Sequence, residues 1–262
     1  MKILLLIDKM DIGGAETHVL SLAEALIKDG YGVDLMCGGG AYTKALSDMG
    51  VHVYAAPFHK RSVFSFIRAC KALRKIKENG YNAVHAHTRY TAVLASLFLP
   101  RIPLVTTVHL DFSLSFFYKQ TARWGRKSLA VSKDLAEYLM RGYGIRREDI
   151  LITKNGINTK EFSFLSQTGK EILHISRLDR DRSLAARMLC GIAPKIYAQH
   201  PEIRIRIYGN GDDLEQVMKA ADQANKATGR QVVFLMGKTE RPSEVLASAG
   251  IFVGVSRAAL EA

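Results

Sequence analysis

Short apolar segments alternate with amphipathic segments along nearly the whole chain. Residues 2–7 (KILLLI) form the first apolar run, and residues 15–28 place Val19, Ala23 and Leu26 on one side of a helix. A short apolar run bounded by polar residues is typical of a buried strand, whereas a repeat near 3.6 residues is typical of a helix. The beginning of the chain therefore predicts a strand followed by a helix.

The alternation continues up to a turn at residues 154–156 (KNG). Helices are predicted at residues 42–49 and 62–78, the second with Ile67, Leu73 and Ile76 facing inward. The other strands of this region are predicted at residues 33–36, 51–55, 83–87, 103–108 and 128–132. Repeated strand–helix units predict a parallel sheet that is covered by helices on both faces.

A polar stretch without periodicity separates this region from a second strand–helix series. The strands of that series are predicted at residues 171–176, 202–209, 231–236 and 251–255, and its helices at residues 183–199, 212–228 and 242–249. We therefore predict an α/β protein of two doubly wound parallel-sheet domains, residues 1–165 and 166–262. A last helix begins at residue 256 and stops within two turns, so we expect the second domain to be incomplete.

The composition is that of an ordinary globular protein, with 48% hydrophobic and 24% charged residues. It excludes a disordered polymer, a collagen-like chain and a disulfide-stapled mini-protein. The three cysteines are odd in number and far apart, which favours reduced thiols in a cytoplasmic protein. The apolar run at residues 3–7 is too short for a signal peptide, and no stretch approaches the ~20 apolar residues of a membrane span.

The net charge of +12 favours an anionic partner, which can be nucleic acid, an acidic membrane surface or a phosphorylated small molecule. Basic residues cluster at residues 60–77 and 118–147, the second cluster with Trp124 and other aromatic residues. No RNA-recognition, zinc-finger or KH pattern accompanies them, which argues against nucleic acid. A face that lies on anionic lipid and a simply solvated helix face both remain open.

Two glycines, Gly13 and Gly14, stand directly before the first predicted helix. The free N–H groups and positive dipole end of a helix N-terminus bind phosphate, and glycines allow close approach of the backbone. A plain tight turn explains the same pair, and the pattern is not the GxGxxG of dinucleotide-binding proteins. The MGKT sequence at residues 236–239 is no P-loop, because Val232 stands where the first glycine is needed.

Two arginines, Arg177 and Arg182, flank the transition from a strand to a helix in the second domain. Guanidinium groups at the carboxyl end of parallel strands are suited to a diphosphate. Asp179 and Asp181 between them form a DxD pair, which can hold a divalent ion. Because arginines flank and separate these acids, salt bridges and solvated surface charge are alternatives, and we predict no metal site.

Histidines recur at the ends of predicted strands, with His87 closing AVHAH and His109 following LVTTV. Carboxyl ends of parallel strands face the ligand crevice, so both are candidate site residues. A buried histidine of the core explains each one equally well. Zinc is disfavoured, because neither HxxxH nor HExxH is present.

Several short motifs then occur in a fixed order along the chain. They are GGAETH (13–18), HAH (85–87), TTVH (106–109), NGIN (155–158), SRL (176–178), GNGD (209–212) and LEA (260–262). This ordered set resembles the retaining nucleotide-sugar glycosyltransferases of family 4, over essentially the whole chain. The resemblance implies the GT-B fold of two Rossmann-like domains, of which the first binds the acceptor and the second the nucleotide. Family members continue for roughly a hundred residues more, so we expect a C-terminally truncated chain.

The resemblance also implies how the donor is bound. Gly13 and Gly14 would lie under its phosphates, Arg177 and Arg182 would neutralise the diphosphate leaving group, and Glu261 would hydrogen-bond the ribose. Arg182 stands where the family usually has lysine, so the charge is retained. The first glutamate of the family's E-x(7)-E motif would fall at Val253, which leaves the donor sugar open.

The implied catalytic residues are His109, beside the transferred sugar, together with the two arginines. His18 and His87 are candidates on the acceptor side. The implied chemistry needs no metal and no cofactor, and the leaving phosphate serves as the base in retaining enzymes of this kind.

We therefore expect a metal-independent hexosyltransferase with a nucleotide sugar and a saccharide or lipid acceptor as partners. We expect it in polysaccharide or lipopolysaccharide synthesis, cytoplasmic or peripheral on the inner membrane face. A sugar-nucleotide epimerase of the same fold, and a non-catalytic protein that binds anionic lipid or nucleic acid, are the alternatives.

Overall fold

The computed structural model describes residues 1–154, 156–157, 159, 162, 169–180, 182–239, 241–255 and 257–262. The chain forms two compact units, Met1–Gly156 and Ile157–Ala262. The predicted boundary between residues 165 and 166 lies outside the described residues. The same holds for Asn155 and Asn158 of the NGIN motif and for Asp181 of the DxD pair.

The first unit is built on a parallel sheet that has seven strands within the described residues. They are β1 (Lys2–Leu6), β2 (Gly32–Cys37), β3 (His52–Ala55), β4 (Ala83–Ala86), β5 (Leu104–Val108), β6 (Lys127–Ala130) and β7 (Ile150–Ile152). Their order across the sheet is β3-β2-β1-β4-β5-β6-β7, and every neighbouring pair is parallel. β2 and β3 therefore lie on one side of β1, and β4 to β7 lie on the other side.

Helices cover both faces of this sheet. They are α1 (Gly14–Lys28), α2 (Thr43–Asp48), α3 (Val63–Ile76), α4 (Arg89–Phe98), α5 (Phe116–Thr121) and α6 (Lys133–Tyr143), with a 3₁₀ turn at Arg147–Asp149. Leu4 and Leu6 belong to one buried apolar cluster, whereas Leu5 and Ile7 belong to another. Because successive side chains of a strand point to opposite faces, β1 anchors a core on each side of the sheet.

The second unit repeats the arrangement on a smaller scale. Its strands are β8 (Glu171–Ile175), β9 (Arg204–Tyr208), β10 (Val233–Gly237) and β11 (Ile251–Phe252), and its helices α7 (Leu184–Gln199), α8 (Leu214–Thr228), α9 (Pro242–Leu246) and α10 (Arg257–Glu261). The described strands pair in parallel in the order β10-β9-β8-β11. The predicted α/β class, with a parallel sheet in each unit, is confirmed.

Two details of the sequence-based prediction are wrong. Strand β7 was not predicted, because three residues after a 3₁₀ turn carry too short a pattern. Ile67 was predicted to face inward, yet 44% of it is exposed. The buried stripe of α3 runs through Ser65, Ala69 and Leu73, and Ile67 lies roughly 200° around the helix from Ser65.

The described helices include none that combines the length and the apolar character needed to cross a bilayer.

Candidate active site

The reversal of strand order in the first sheet brings two turns together. β1 leads into α1 through Gly13 and Gly14, and β4 ends one residue before His87. The His87 amide donates a hydrogen bond to the Leu6 carbonyl (2.8 Å), which joins the ends of these two strands. His109 directly follows β5, the next strand of the sheet. Such a switch point at the carboxyl edge of a parallel sheet is where open α/β proteins bind ligands.

Three histidines from three different elements meet at this edge, and we call them the histidine cluster: His18 of α1, His87 and His109. The His18 ring centroid lies 5.0 Å from that of His109 and 5.7 Å from that of His87. Nδ1 of His87 lies 3.3 Å from Nε2 of His109. His85 stacks on His87 with ring centroids 4.3 Å apart, and its Nε2 is 2.7 Å from Oγ1 of Thr107.

Burial keeps the imidazoles of His85, His87 and His109 uncharged at neutral pH. Desolvation lowers the pKa of His109 to about 3, with a smaller effect from His18 and His85. Desolvation likewise lowers the pKa of His85 to about 3, and that of buried His87 well below its ordinary value. A neutral imidazole offers one hydrogen-bond donor and one acceptor. This edge is therefore suited to uncharged hydroxyl groups rather than to a fixed anion.

The N-terminus of α1 begins one helical turn before His18. Gly13 provides no side-chain cap, and a side chain at Gly14 would meet no atom within 4 Å. The Glu16 side chain folds over Gly13, where a Cβ would come 3.1 Å from Glu16 Cδ. The backbone at Gly14 is thus open to an anion, which would share the positive end of the helix with the Glu16 carboxylate.

In the second unit, Arg177 and Arg182 lie in one loop between β8 and α7. Both are exposed, and Nη2 of Arg177 forms an ion pair with Oδ2 of Asp179 (2.9 Å). The Arg182 amide donates a hydrogen bond to the Asp179 carbonyl (2.8 Å), which bends the loop toward α7. Both arginine side chains are therefore in contact with solvent. Arg177 already has an acidic partner in Asp179.

The loop at residues 209–212 (GNGD) packs directly on the arginine loop. The Leu178 amide donates a hydrogen bond to the Asn210 carbonyl (3.1 Å). A Cβ at Gly211 would come 2.6 Å from Oδ1 of Asp179, so only glycine allows the two loops this close approach. The GNGD motif thus has a clear packing role beneath the arginine loop.

Glu261 lies on α10, where its Oε1 accepts a hydrogen bond from Nε of Arg257 (2.6 Å). Both side chains of this ion pair are nearly buried, with 8% and 11% exposed. Nη1 of Arg257 is buried without a hydrogen-bond partner in the part of the chain that is described. The sequence analysis missed Arg257. Only the (i, i+4) geometry of α10 shows that Arg257 pairs with Glu261, the residue predicted to bind the ribose.

An exposed surface of α3 combines apolar and basic side chains, and we call it the α3 patch. Val63 and Phe64 are 73% and 81% exposed, unusual values for apolar residues at the start of a helix. The patch comprises Val63, Phe64, Ile67, Arg68, Lys71 and Lys75, all exposed. By contrast, Trp124 of the second basic cluster is partly buried against Phe112 and Tyr143, so it serves packing rather than stacking on bases.

The structure brings the predicted residues together in two separate groups. His18, His87 and His109 converge near the Gly13–Gly14 turn in the first unit, and Arg177 and Arg182 share a loop in the second. The sequence analysis included His85 only as part of HAH, although its spacing of two from His87, which follows β4, predicts that the two rings lie on the same side.

Residues 12–161 match the family model described as Glycosyltransferase Family 4. The match covers more than half of the chain and includes the Gly13–Gly14 turn and the whole histidine cluster. The chain belongs to glycosyltransferase family 4.

Curated relatives of this family-4 chain include two phosphatidyl-myo-inositol mannosyltransferases. The one from Mycolicibacterium smegmatis is 27% identical over 232 residues, which cover 81% of this chain and 59% of the relative. The one from Mycobacterium tuberculosis is 26% identical over 244 residues, which cover 85% of this chain and 61% of the relative. The chain thus spans less than two thirds of the length of these relatives.

Solved structures show the same fold at low sequence identity. HepE from Anabaena, in complex with UDP-glucose, has a TM-score of 0.73 at 18% identity, over 96% of this chain and 73% of that chain. A glycosyltransferase from Rickettsia africae has a TM-score of 0.73 at 16% identity, over 97% and 73%. These neighbours confirm the predicted GT-B class of fold.

Proposed function

We propose that this protein is a retaining hexosyltransferase that moves a hexose from a nucleotide-diphosphate sugar to a saccharide or lipid acceptor. The observation that carries the proposal is the pair of uncharged histidines, His87 and His109, at the switch point of a family-4 domain. Related proteins support it, since one is named a mannosyltransferase and another was solved with UDP-glucose.

His109 is the catalytic histidine of this proposal. Its ring is held by His87 on one side and contacts His18 on the other, and its lowered pKa keeps it neutral. As a neutral donor and acceptor it binds a hydroxyl of the transferred sugar without adding charge next to the reacting carbon. His18 and His87 line the acceptor side of the same edge.

The leaving group is handled by fixed positive charge. Cleavage of the sugar–phosphate bond leaves extra negative charge on the diphosphate, which preorganised cations and amide groups stabilise. Arg177 and Arg182 supply the cations in the second unit. In the first unit the backbone at Gly14, at the N-terminus of α1, is open to an anion. Glu261 binds the ribose through the carboxylate oxygen that Arg257 leaves available.

Because the arginines take over the neutralising role, no metal ion or cofactor is required for transfer. A diphosphate that carries away the leaving charge also accepts the proton of the attacking hydroxyl. The proposal therefore needs no carboxylate base at the histidine edge.

The decisive experiment is product analysis with UDP-glucose and GDP-mannose as donors and a phosphatidylinositol or oligosaccharide as acceptor. Transfer gives an extended acceptor, an equal amount of nucleoside diphosphate and the donor's anomeric configuration by NMR, and it survives EDTA. A changed sugar nucleotide without consumption of acceptor would identify an epimerase instead. His52→Gln, at an exposed histidine of β3, is the control for His109→Gln.

For the acceptor, we propose a lipid at an anionic membrane surface that the α3 patch contacts. Exposed Phe64 and Val63 can enter the interface while Lys71 and Lys75 approach lipid phosphates, the arrangement of interfacial helices. Each basic residue near such a surface contributes about 1 kcal/mol of binding.

Sedimentation with vesicles containing phosphatidylserine tests this surface. Lys71→Glu with Lys75→Glu should weaken binding by roughly 30-fold or more, whereas Lys28→Glu with Lys44→Glu, at exposed lysines elsewhere, should have a smaller effect. Equal losses of vesicle binding in both double variants would mean that only the net charge matters. Vesicle binding that neither double variant changes would exclude the α3 patch as the membrane-binding surface.

A further inference from the structure

The histidine cluster has the geometry of a metal site as well as that of a sugar-binding edge. One ligand atom from each of His18, His87 and His109 lies within 4.8 Å of the others. Among the described residues, no other group of histidine, cysteine or acidic side chains is this compact. We propose that these three histidines bind a divalent transition-metal ion of the zinc class.

The distances within the cluster are close to those that zinc imposes. Zn–N bonds of about 2.0–2.1 Å in a tetrahedral site place two ligand nitrogens about 3.4 Å apart. Nδ1 of His87 and Nε2 of His109 already lie 3.3 Å apart. The half-buried His18 has a ligand atom within 4.8 Å of the other two and must move closer to complete a three-nitrogen site.

A second observation concerns hydrogen bonding in the cluster. Nε2 of His87 is buried and has no hydrogen-bond partner in the described part of the chain. This nitrogen is not the one that faces His109, so its lack of a partner shows only that no protein group fixes the tautomer of the ring from that side. The other nitrogen, Nδ1, faces Nε2 of His109, and either of these two nitrogens can be the acceptor, so His87 can present an unprotonated Nδ1 to an ion.

The ligand type also selects the ion. Three imidazoles without a carboxylate suit zinc, copper and nickel and not magnesium or calcium, which require oxygen ligands. Three protein ligands leave a fourth position open for water or a ligand, as in open zinc sites.

The consequence for activity rests on the proposed function. If His109 binds the transferred sugar, a metal ion on its Nε2 removes that contact and blocks the edge. The ion is therefore an inhibitor of transfer and not a cofactor, in line with the expectation that transfer survives EDTA.

The site is tested by titrating the full, metal-free chain with Zn²⁺ in a calorimeter and with Co²⁺ in a spectrophotometer. We expect one tight Zn²⁺ site per chain and a visible Co²⁺ spectrum of low coordination number. Loss of a second-shell partner costs 10–100-fold in metal affinity, so His18→Gln and His109→Gln should each weaken Zn²⁺ binding by at least about 100-fold.

His52→Gln and His200→Gln, at exposed histidines outside the cluster, should leave the tight site unchanged. Circular dichroism must show that each variant is folded, and His18→Gln is the safest because His18 is only partly buried. Zn²⁺ binding that is equal in the wild type and in His18→Gln, or no tight site at all, would overturn the proposal.

Measurements of transfer activity distinguish this inference from the proposed function. Binding of Zn²⁺ that depends on His18 supports the metal site even if no sugar donor is turned over. If transfer is observed, micromolar Zn²⁺ should abolish it and EDTA should restore it, and activity that is indifferent to saturating Zn²⁺ would overturn the inhibitory role.

Discussion

The two sheets of this protein present different chemistry at the same kind of edge. In the first unit the switch point carries the uncharged imidazoles of buried His87 and partly buried His109, whereas in the second the turn after the central strand carries exposed guanidinium groups. Parallel strands and helix N-termini are common to both, so the backbone does not determine the difference. Solvation determines it, because burial removes the charge from an imidazole and water preserves the charge of an arginine.

Under the proposed function the two edges recognise different chemical groups. A neutral, desolvated edge recognises sugar hydroxyls through directed hydrogen bonds, and a hydrated cationic loop recognises a diphosphate through charge. Four changes test the comparison.

The largest effect is expected on stability in acid. Unfolded histidines take up protons below about pH 6.5, whereas folded His85 and His109 stay neutral down to about pH 3. The free energy of unfolding of the first unit should therefore be constant above pH 6.5 and fall as the pH decreases toward 3. With His87 included, the slope reaches up to about 4 kcal/mol per pH unit.

Trp124 is the only tryptophan of the chain and lies in the first unit, so its fluorescence during urea unfolding measures this free energy. His85→Gln should reduce the slope by about 1.4 kcal/mol per pH unit. A free energy that stays flat between pH 6.5 and 4 would show that the histidines are hydrated.

The next effect concerns catalysis at the histidine edge. His109→Gln should lower kcat roughly 10²–10³-fold, as removal of one preorganised hydrogen-bonding group does, and change donor affinity little. Steady-state kinetics and donor calorimetry separate the two quantities. A loss of donor affinity without a loss of kcat would show that His109 contributes to ground-state binding and not to the catalytic step.

A smaller effect is expected at the arginine loop, and there it should appear in binding. Arg177→Ala and Arg182→Ala each remove a charge-assisted contact of about 1.5–3 kcal/mol, so nucleoside diphosphate binding should weaken roughly ten-fold or more. Arg180→Ala, at an exposed arginine of the same loop, is the matched control. If all three variants behave alike, the loop attracts the donor by net charge only.

The smallest expected effect is a gain in diphosphate affinity. Asp179 pairs with Arg177 at 2.9 Å, and a diphosphate must displace it. An exposed ion pair of this kind is worth about 0.2–1 kcal/mol, so Asp179→Asn should tighten diphosphate binding by about 1.4- to 5-fold. Asp222→Asn, on the exposed side of α8, controls for the change in net charge, and equal gains in both variants would show that the ion pair does not compete.

Sequence reasoning succeeded where the signal is local. The apolar runs at residues 2–7 and 171–176 predicted β1 and β8, and the helical period of residues 15–28 predicted α1 almost to the residue. Local reasoning also found His87, His109 and Arg177, because residues that follow a strand of a parallel sheet lie at its carboxyl edge.

The sequence by itself therefore determined the α/β class, the succession of strands and helices apart from β7, and the residues that follow β4, β5 and β8. Only the tertiary structure decided that His18 joins His87 and His109, that Arg257 engages Glu261, and that Ile67 faces solvent. The physical reason is that hydrophobic periodicity acts within an element. Distance and burial between residues far apart in sequence depend on strand order and helix orientation, which no single segment specifies.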